Sequence, residues 1–157
     1  MKIQFWSIGK NDEAYIKAGV AEFTKRISKY YKVEWKIIPP PKNAASMNGP
    51  ELMDKEGEKI LSLLKKEDYL VVLDRKGDHF SSEVFADFIK SKADESIKSL
   101  VFVIGGAYGL DKNVIVKAKL KLSFSHFTFP HQLVRLILAE QVYRACTIIK
   151  NEKYHHK

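Results

Sequence analysis

The sequence predicts a single α/β domain, a mainly parallel sheet with helices on both faces. Three observations carry this reading. Strand-like segments alternate along the chain with segments whose apolar residues recur at helical spacing, the order that parallel strands joined by crossover helices require. Residues 100–104, Leu-Val-Phe-Val-Ile, form an unbroken apolar run, and residues 120–124 are rich in Leu and Phe; both are read as strands buried on two faces. The 157 residues, 45% of them hydrophobic, suit one core and are too few for two comfortable domains, so residues 1–157 are read as one unit.

The elements follow in order. Residues 2–8 alternate weakly around Ile3, Phe5 and Ile8 and stop at Gly9, a first strand and turn. Asn11 and Asp12 are good helix caps, and Tyr15, Ile16, Val20, Phe23 and Ile27 keep helical spacing to about Tyr30. Lys17, Lys25, Arg26 and Lys29 lie largely off that stripe, as a solvated face or as a contact surface for RNA. Residues 33–38 form a second strand, stopped by Pro39-Pro40-Pro41, whose fixed φ and missing amides prevent continuation. Small and polar residues at 42–49 predict a mobile loop. Pro50 opens a helix to about Lys66 with Leu52, Met53, Ile60, Leu61 and Leu64 inward.

Residues 69–73 form a third strand that ends in the charged loop Asp74-Arg75-Lys76-Gly77. Ser81 or Ser82 caps the next helix, with Val84, Phe85, Phe88 and Ile89 on its inner side. The strand at 100–104 leads into Gly105-Gly106-Ala107-Tyr108-Gly109, then a short helix over 111–118, the strand at 120–124 and a Ser/His/Thr loop closed by Pro130. A long helix follows over 131–150. Its apolar residues, among them Leu133, Leu136, Ile137, Val142, Tyr143 and Ile149, do not fit one stripe, so it needs burial on more than one side. Either a homodimer interface or a sandwiched position within the monomer supplies that burial.

Composition narrows the function classes. No segment approaches the ~20 apolar residues that span a bilayer, and no secretion signal is evident at the amino terminus; a cytoplasmic protein is the expectation. The single cysteine, Cys146, excludes an internal disulfide and offers no metal site. The net charge of +8 suggests a polyanionic partner, although a merely basic protein fits charge alone.

In an open parallel sheet, ligands bind outside the carboxyl ends of the strands. The glycine loop and the 124–129 loop, read as lying on adjacent strands, therefore face one crevice, the expected active site. The glycine loop is neither a Gly-x-Gly-x-x-Gly fingerprint nor a P-loop, and by itself it is equally a tight turn.

The residues Ile104-Gly105-Gly106 with Gly109-Leu110, Leu122-Ser123-Phe124-Ser125, Thr128-Phe129-Pro130-His131 and Arg135 closely resemble the signature of the ribosomal RNA large subunit methyltransferase H family, within the SPOUT superfamily of knotted methyltransferases. The resemblance runs from Met1-Lys2-Ile3 and the Gly9-Lys10 turn through Asp54-Lys55-Glu56-Gly57 to Tyr154-His155. It implies a trefoil knot over about 100–150 and a homodimer. It also implies S-adenosylmethionine-dependent methylation of N3 of a pseudouridine in 23S ribosomal RNA, with assembled ribosomes as the preferred substrate. By the same resemblance Leu73, Gly105, Phe124, Ser125, His126, Phe127, Thr128 and Phe129 are the expected cofactor positions, with no metal required. His131, Arg135, Arg144, Tyr154 and His155 are the expected acceptor-side residues, the last two from a short tail, 151–157, that looks disordered by composition. Which of His155 and His156 has the tail role is open, and Glu140, spaced i,i+4 from Arg144, makes a simple ion pair the competing account of that arginine. A non-enzymatic RNA- or ribosome-binding factor and a small phosphate- or nucleotide-binding protein are the alternative functions.

Overall fold

The structure, a computed structural model, describes residues 1–10 and 13–157; the expected helix caps Asn11 and Asp12 lie outside the described residues. In chain order the elements are β1 (Lys2–Ile8), α1 (Ala14–Ile27), β2 (Lys32–Ile38), a 3-10 turn (Ala44–Ser46), α2 (Gly49–Leu63), β3 (Asp68–His79), α3 (Ser82–Asp94), β4 (Ser99–Ile104), α4 (Lys112–Lys117), β5 (Leu120–Ser123) and α5 (His131–Ile149). The strands pair in parallel throughout, in the order β2-β1-β4-β3-β5.

Strand alternation divides the core in two. Ile3 and Phe5 of β1, with Leu100 and Phe102 of β4, face a cluster that holds Ile27 of α1, Phe85 and Ile89 of α3, and Leu138 and Val142 of α5. Trp6 and Ile8, with Val101 and Val103, face Ile60 of α2 and Val114 of α4. Helices thus cover both faces, as expected, and burying each of these large side chains contributes about 1.5–3 kcal/mol. No described helix is long and apolar enough to cross a membrane.

Several elements depart from the sequence expectation. The 42–49 segment is more than a loop: it carries the 3-10 turn, and Asn48 caps α2 by accepting from Glu51 N. The charged segment 74–77 belongs to β3, which continues to His79 through a register shift between Leu73 and Asp78, both opposite Leu122. Charge and glycine imitate a loop there, and only pairing with β5 reveals the strand. β5 is an edge strand with Lys121 exposed, and β3 lies between it and β4, so the two loops are not on adjacent strands. Val84 is 48% exposed because α3 turns Phe85, Ala86 and Ile89 inward instead. α5 packs between α1 and α3 as well as on the sheet, which accounts for much of its apolar circumference within one chain.

Candidate active site

The carboxyl ends of β3, β4 and β5 open into a crevice of about 840 Å³. Its first wall is the glycine loop. A Cβ on Gly105 would sit 2.8 Å from the carbonyl carbon of Gly109 and 3.0 Å from Leu110 Cγ, so the loop closes on itself only because that side chain is absent. Gly109 adopts φ +88° and donates its amide to Gly106 O at 3.1 Å, completing the tight turn. Behind it stands Glu56, 6% exposed, whose carboxylate oxygens lie 2.8 and 2.9 Å from where a Gly106 Cβ would be. Burial raises the Glu56 pKa above the ordinary carboxylate range.

The opposite wall is the 124–129 loop. Ser125 Oγ accepts from Phe127 N at 3.0 Å, and Arg75 of the β3 extension donates to Thr128 Oγ1 at 3.1 Å, tying the loop to the neighbouring strand. Leu73, Gly105, Phe124, Ser125, Phe127, Thr128 and Phe129 all line the crevice. His126 does not; it is exposed and its ring pairs with that of His79 at 4.5 Å. The result is an apolar slot with the backbones of two irregular loops at its edges. Such a slot suits a planar heterocycle, held by apolar contact on its faces and read by amides and carbonyls at its rim.

The expected acceptor-side residues fall into two groups. His131 opens α5 on the crevice wall. Arg135, one turn on, is fully buried and donates to Ser7 Oγ at 2.7 Å, Lys10 O at 3.0 Å and Ile8 O at 3.2 Å. It grips the end of β1 and the Gly9 turn from inside the fold instead of facing the crevice. Arg144, Tyr154 and His155 gather at the far end of the same helix. Arg144 donates to Glu140 Oε1 at 3.0 Å and has its guanidinium 4.9 Å from the Tyr154 ring centre; Tyr154 donates to the same carboxylate oxygen at 3.1 Å. His155 Nε2 lies 2.9 Å from Glu83 Oε1, and its Nδ1 lies 3.3 Å from Arg144. The tail is therefore docked at Tyr154 and His155, where composition alone suggested disorder; His156 is exposed.

Electrostatics follow from these contacts. The hydrogen bond from His155 is the main cause that lowers Glu83 from its ordinary 4.5 to about 2. The Glu140 hydrogen bond raises Arg144, and burial leads in raising Tyr154. The ion pair foreseen as a competing account of Arg144 is present, embedded in this larger cluster. Since α5 rises about 1.5 Å per residue, the His131 and Arg144 ends stand roughly 20 Å apart.

Glu56 and Glu83 were not legible as site residues, and Arg75 was so only as part of the charged segment 74–77, which its place at the carboxyl end of a buried strand assigned to the crevice it lines. Glu56 had a signal: it shares the inward stripe of α2 with Met53 and Ile60, an i, i+3, i+7 pattern in which a carboxylate is out of place. The contacts of Arg75 with Thr128 and of Glu83 with His155 had no local signal, because the partners are distant in sequence. No cluster of three or more metal-ligating side chains occurs among the described residues.

Comparison with known proteins is consistent along the whole chain. A family model described as "Predicted SPOUT methyltransferase" matches residues 1–155. The ribosomal RNA large subunit methyltransferase H of Cytophaga hutchinsonii is 45% identical over 157 residues, covering 99% of this chain and 100% of the relative. Its namesake in Christiangramia forsetii is 43% identical with both chains fully covered, and that of Carboxydothermus hydrogenoformans is 42% identical with 99% of each covered. Among solved structures, the tRNA (m1G37) methyltransferase of Aquifex aeolicus superposes with a TM-score of 0.53 over 92% of this chain and 70% of its own, at 14% identity, a likeness of fold alone.

Proposed function

The chain belongs to the SPOUT methyltransferase family, and from that premise we propose that it transfers the methyl group of S-adenosylmethionine to N3 of a pseudouridine in large-subunit ribosomal RNA. The observation that carries the reading is the crevice built from the pinched glycine loop and the 124–129 loop. The residues fit the cofactor: Leu73, Leu110, Phe124 and Phe129 offer apolar faces for an adenine, and the loop backbones offer donors and acceptors for its edge. The relatives are named for large-subunit ribosomal RNA, which supports that substrate, and the net charge of +8 suits a polyanion.

Bound S-adenosylmethionine supplies an electrophilic methyl on a sulfonium. The chain then has three tasks: to align the acceptor nitrogen with that methyl, to take the N3 proton, and to stabilise the imide anion left behind. His131, on the crevice wall, stands where it meets an acceptor base. Arg135 serves as a positioning residue that holds the Gly9 turn, since a Cβ on Gly9 would touch His131 Nε2 at 2.9 Å and Arg135 at 3.0 Å. Arg144 near the end of α5, with Tyr154 and His155 in the tail beyond it, lies too far from His131 to reach the same crevice, so a homodimer in which each tail completes the other subunit's site reconciles the two groups.

Calorimetry tests the cofactor half. Saturable binding of S-adenosylmethionine by the parent protein, lost in Gly105→Arg because no side chain fits against Gly109, is expected. Methyl transfer to purified ribosomes, mapped by mass spectrometry, tests the other half; a modified base other than an N3-methylated pseudouridine, or no transfer, would overturn the substrate.

A further inference from the structure

A second cavity, of about 460 Å³, lies on the same edge of the sheet over different strands. Ile8 at the end of β1, Ile38 at the end of β2, the three prolines 39–41 and the α2 residues Glu56, Lys59 and Ser62 bound it. In the strand order β2-β1-β4-β3-β5 it covers the first two strands, whereas the crevice covers the last three. Glu56 is the partition, since its carboxylate also abuts Gly106 of the glycine loop.

The groove has an apolar floor, one buried carboxylate and a rim of mixed charge, where Lys55 and Lys59 stand beside Glu58. Consecutive prolines hold a rigid face and remove the amides that a bound peptide backbone would need, which disfavours a peptide occupant. Glu56 stands at the inner end as an acceptor for the N–H groups of a base edge. Lys55 shares its charge with Glu58 at 3.5 Å, but Lys59 is exposed at the rim, placed for a phosphate. Unpaired nucleotides in RNA loops splay their bases onto such surfaces while cations hold the backbone.

We propose that this groove holds an unpaired nucleotide flanking the target base, so that the RNA strand runs along the carboxyl edge of the sheet from groove to crevice. The proposal rests on the ribosomal RNA reading above and adds a docking site to it.

Lys59→Glu and Ser62→Trp test it, both at exposed positions on α2 where the fold tolerates change. The tryptophan plugs the groove and the glutamate repels phosphate. Both variants are expected to bind S-adenosylmethionine as the parent does, while KM for ribosomes rises about tenfold with kcat little changed, and Lys59→Glu lowers the salt slope of ribosome binding by about one. In the parent protein, a short single-stranded oligoribonucleotide is expected to shift the amide resonances of Ile38 and Ser62. Ribosome KM values equal to the parent's would overturn the groove. Raised KM values without any shift by the oligoribonucleotide would assign it to a ribosomal protein and overturn the nucleotide. A parent protein that binds S-adenosylmethionine but methylates no ribosome would instead sink the underlying reading, which separates the two failures.

Discussion

At the scale of the residue, Arg135 shows how a side chain beside the site acts through the fold. It is fully buried, and its contacts include one hydroxyl and two carbonyls, those of Ser7, Ile8 and Lys10, at the end of β1 and the turn after it. Arg135→Met keeps the volume and leaves those carbonyls without donors, and hydrogen bonds to a charged group are worth about 1.5–3 kcal/mol each. Urea denaturation is expected to show a loss of roughly 3 kcal/mol, with the m-value unchanged. A loss of only a few tenths would mean that water replaces the guanidinium. Gly105 is the complementary case, a position where having no side chain lets the loop close on Gly109.

At the scale of the element, the β3 extension and the tail matter most. β3 runs past the crevice because Gly77 lets it pass within 2.6 Å of the Lys121 backbone, measured from the position of a Cβ there. That passage brings Arg75 to Thr128 and ties the 124–129 wall of the crevice to β3. The tail is held by Glu83, His155 and Arg144. The folded pKa of Glu83, about 2, lies below its ordinary 4.5, so its share of tail docking is present above 4.5 and is lost as pH falls towards 2. The protection factors of residues 151–157, exchange rates corrected for intrinsic pH dependence, are expected to fall across that window in the parent and to be low throughout in Glu83→Gln. Equal protection in the two proteins at neutral pH would remove Glu83 from the account.

At the scale of the whole molecule, the candidate catalytic residues sit at opposite ends of a 19-residue helix. In the proposed homodimer a working site takes its crevice from one copy and its tail from the other. Gly105→Arg and a variant truncated after residue 150 are each expected to be inactive alone. Mixed and re-associated at equal amounts, half of the dimers carry one intact site, so about a quarter of the parent activity should return. No recovery, with heterodimers demonstrated by native mass spectrometry, would place all the chemistry within one subunit.

The α/β class, nearly every element and most of the crevice lining were legible before folding, because apolar periodicity, proline stops and glycine turns are local properties of the chain. The family resemblance added the cofactor positions, seven of which line one crevice. Only the tertiary structure decided that β3 separates β4 from β5, that segment 74–77 is strand, that the tail docks on Glu83, and that Arg135 faces inward. These depend on partners far along the chain, from 44 positions for Asp78 with Leu122 by register, through Arg75 with Thr128 and His155 with Glu83, to 128 for Arg135 with Ser7. Local pattern carries no record of which distant segment a polar group meets; packing of the complete sheet settles that choice.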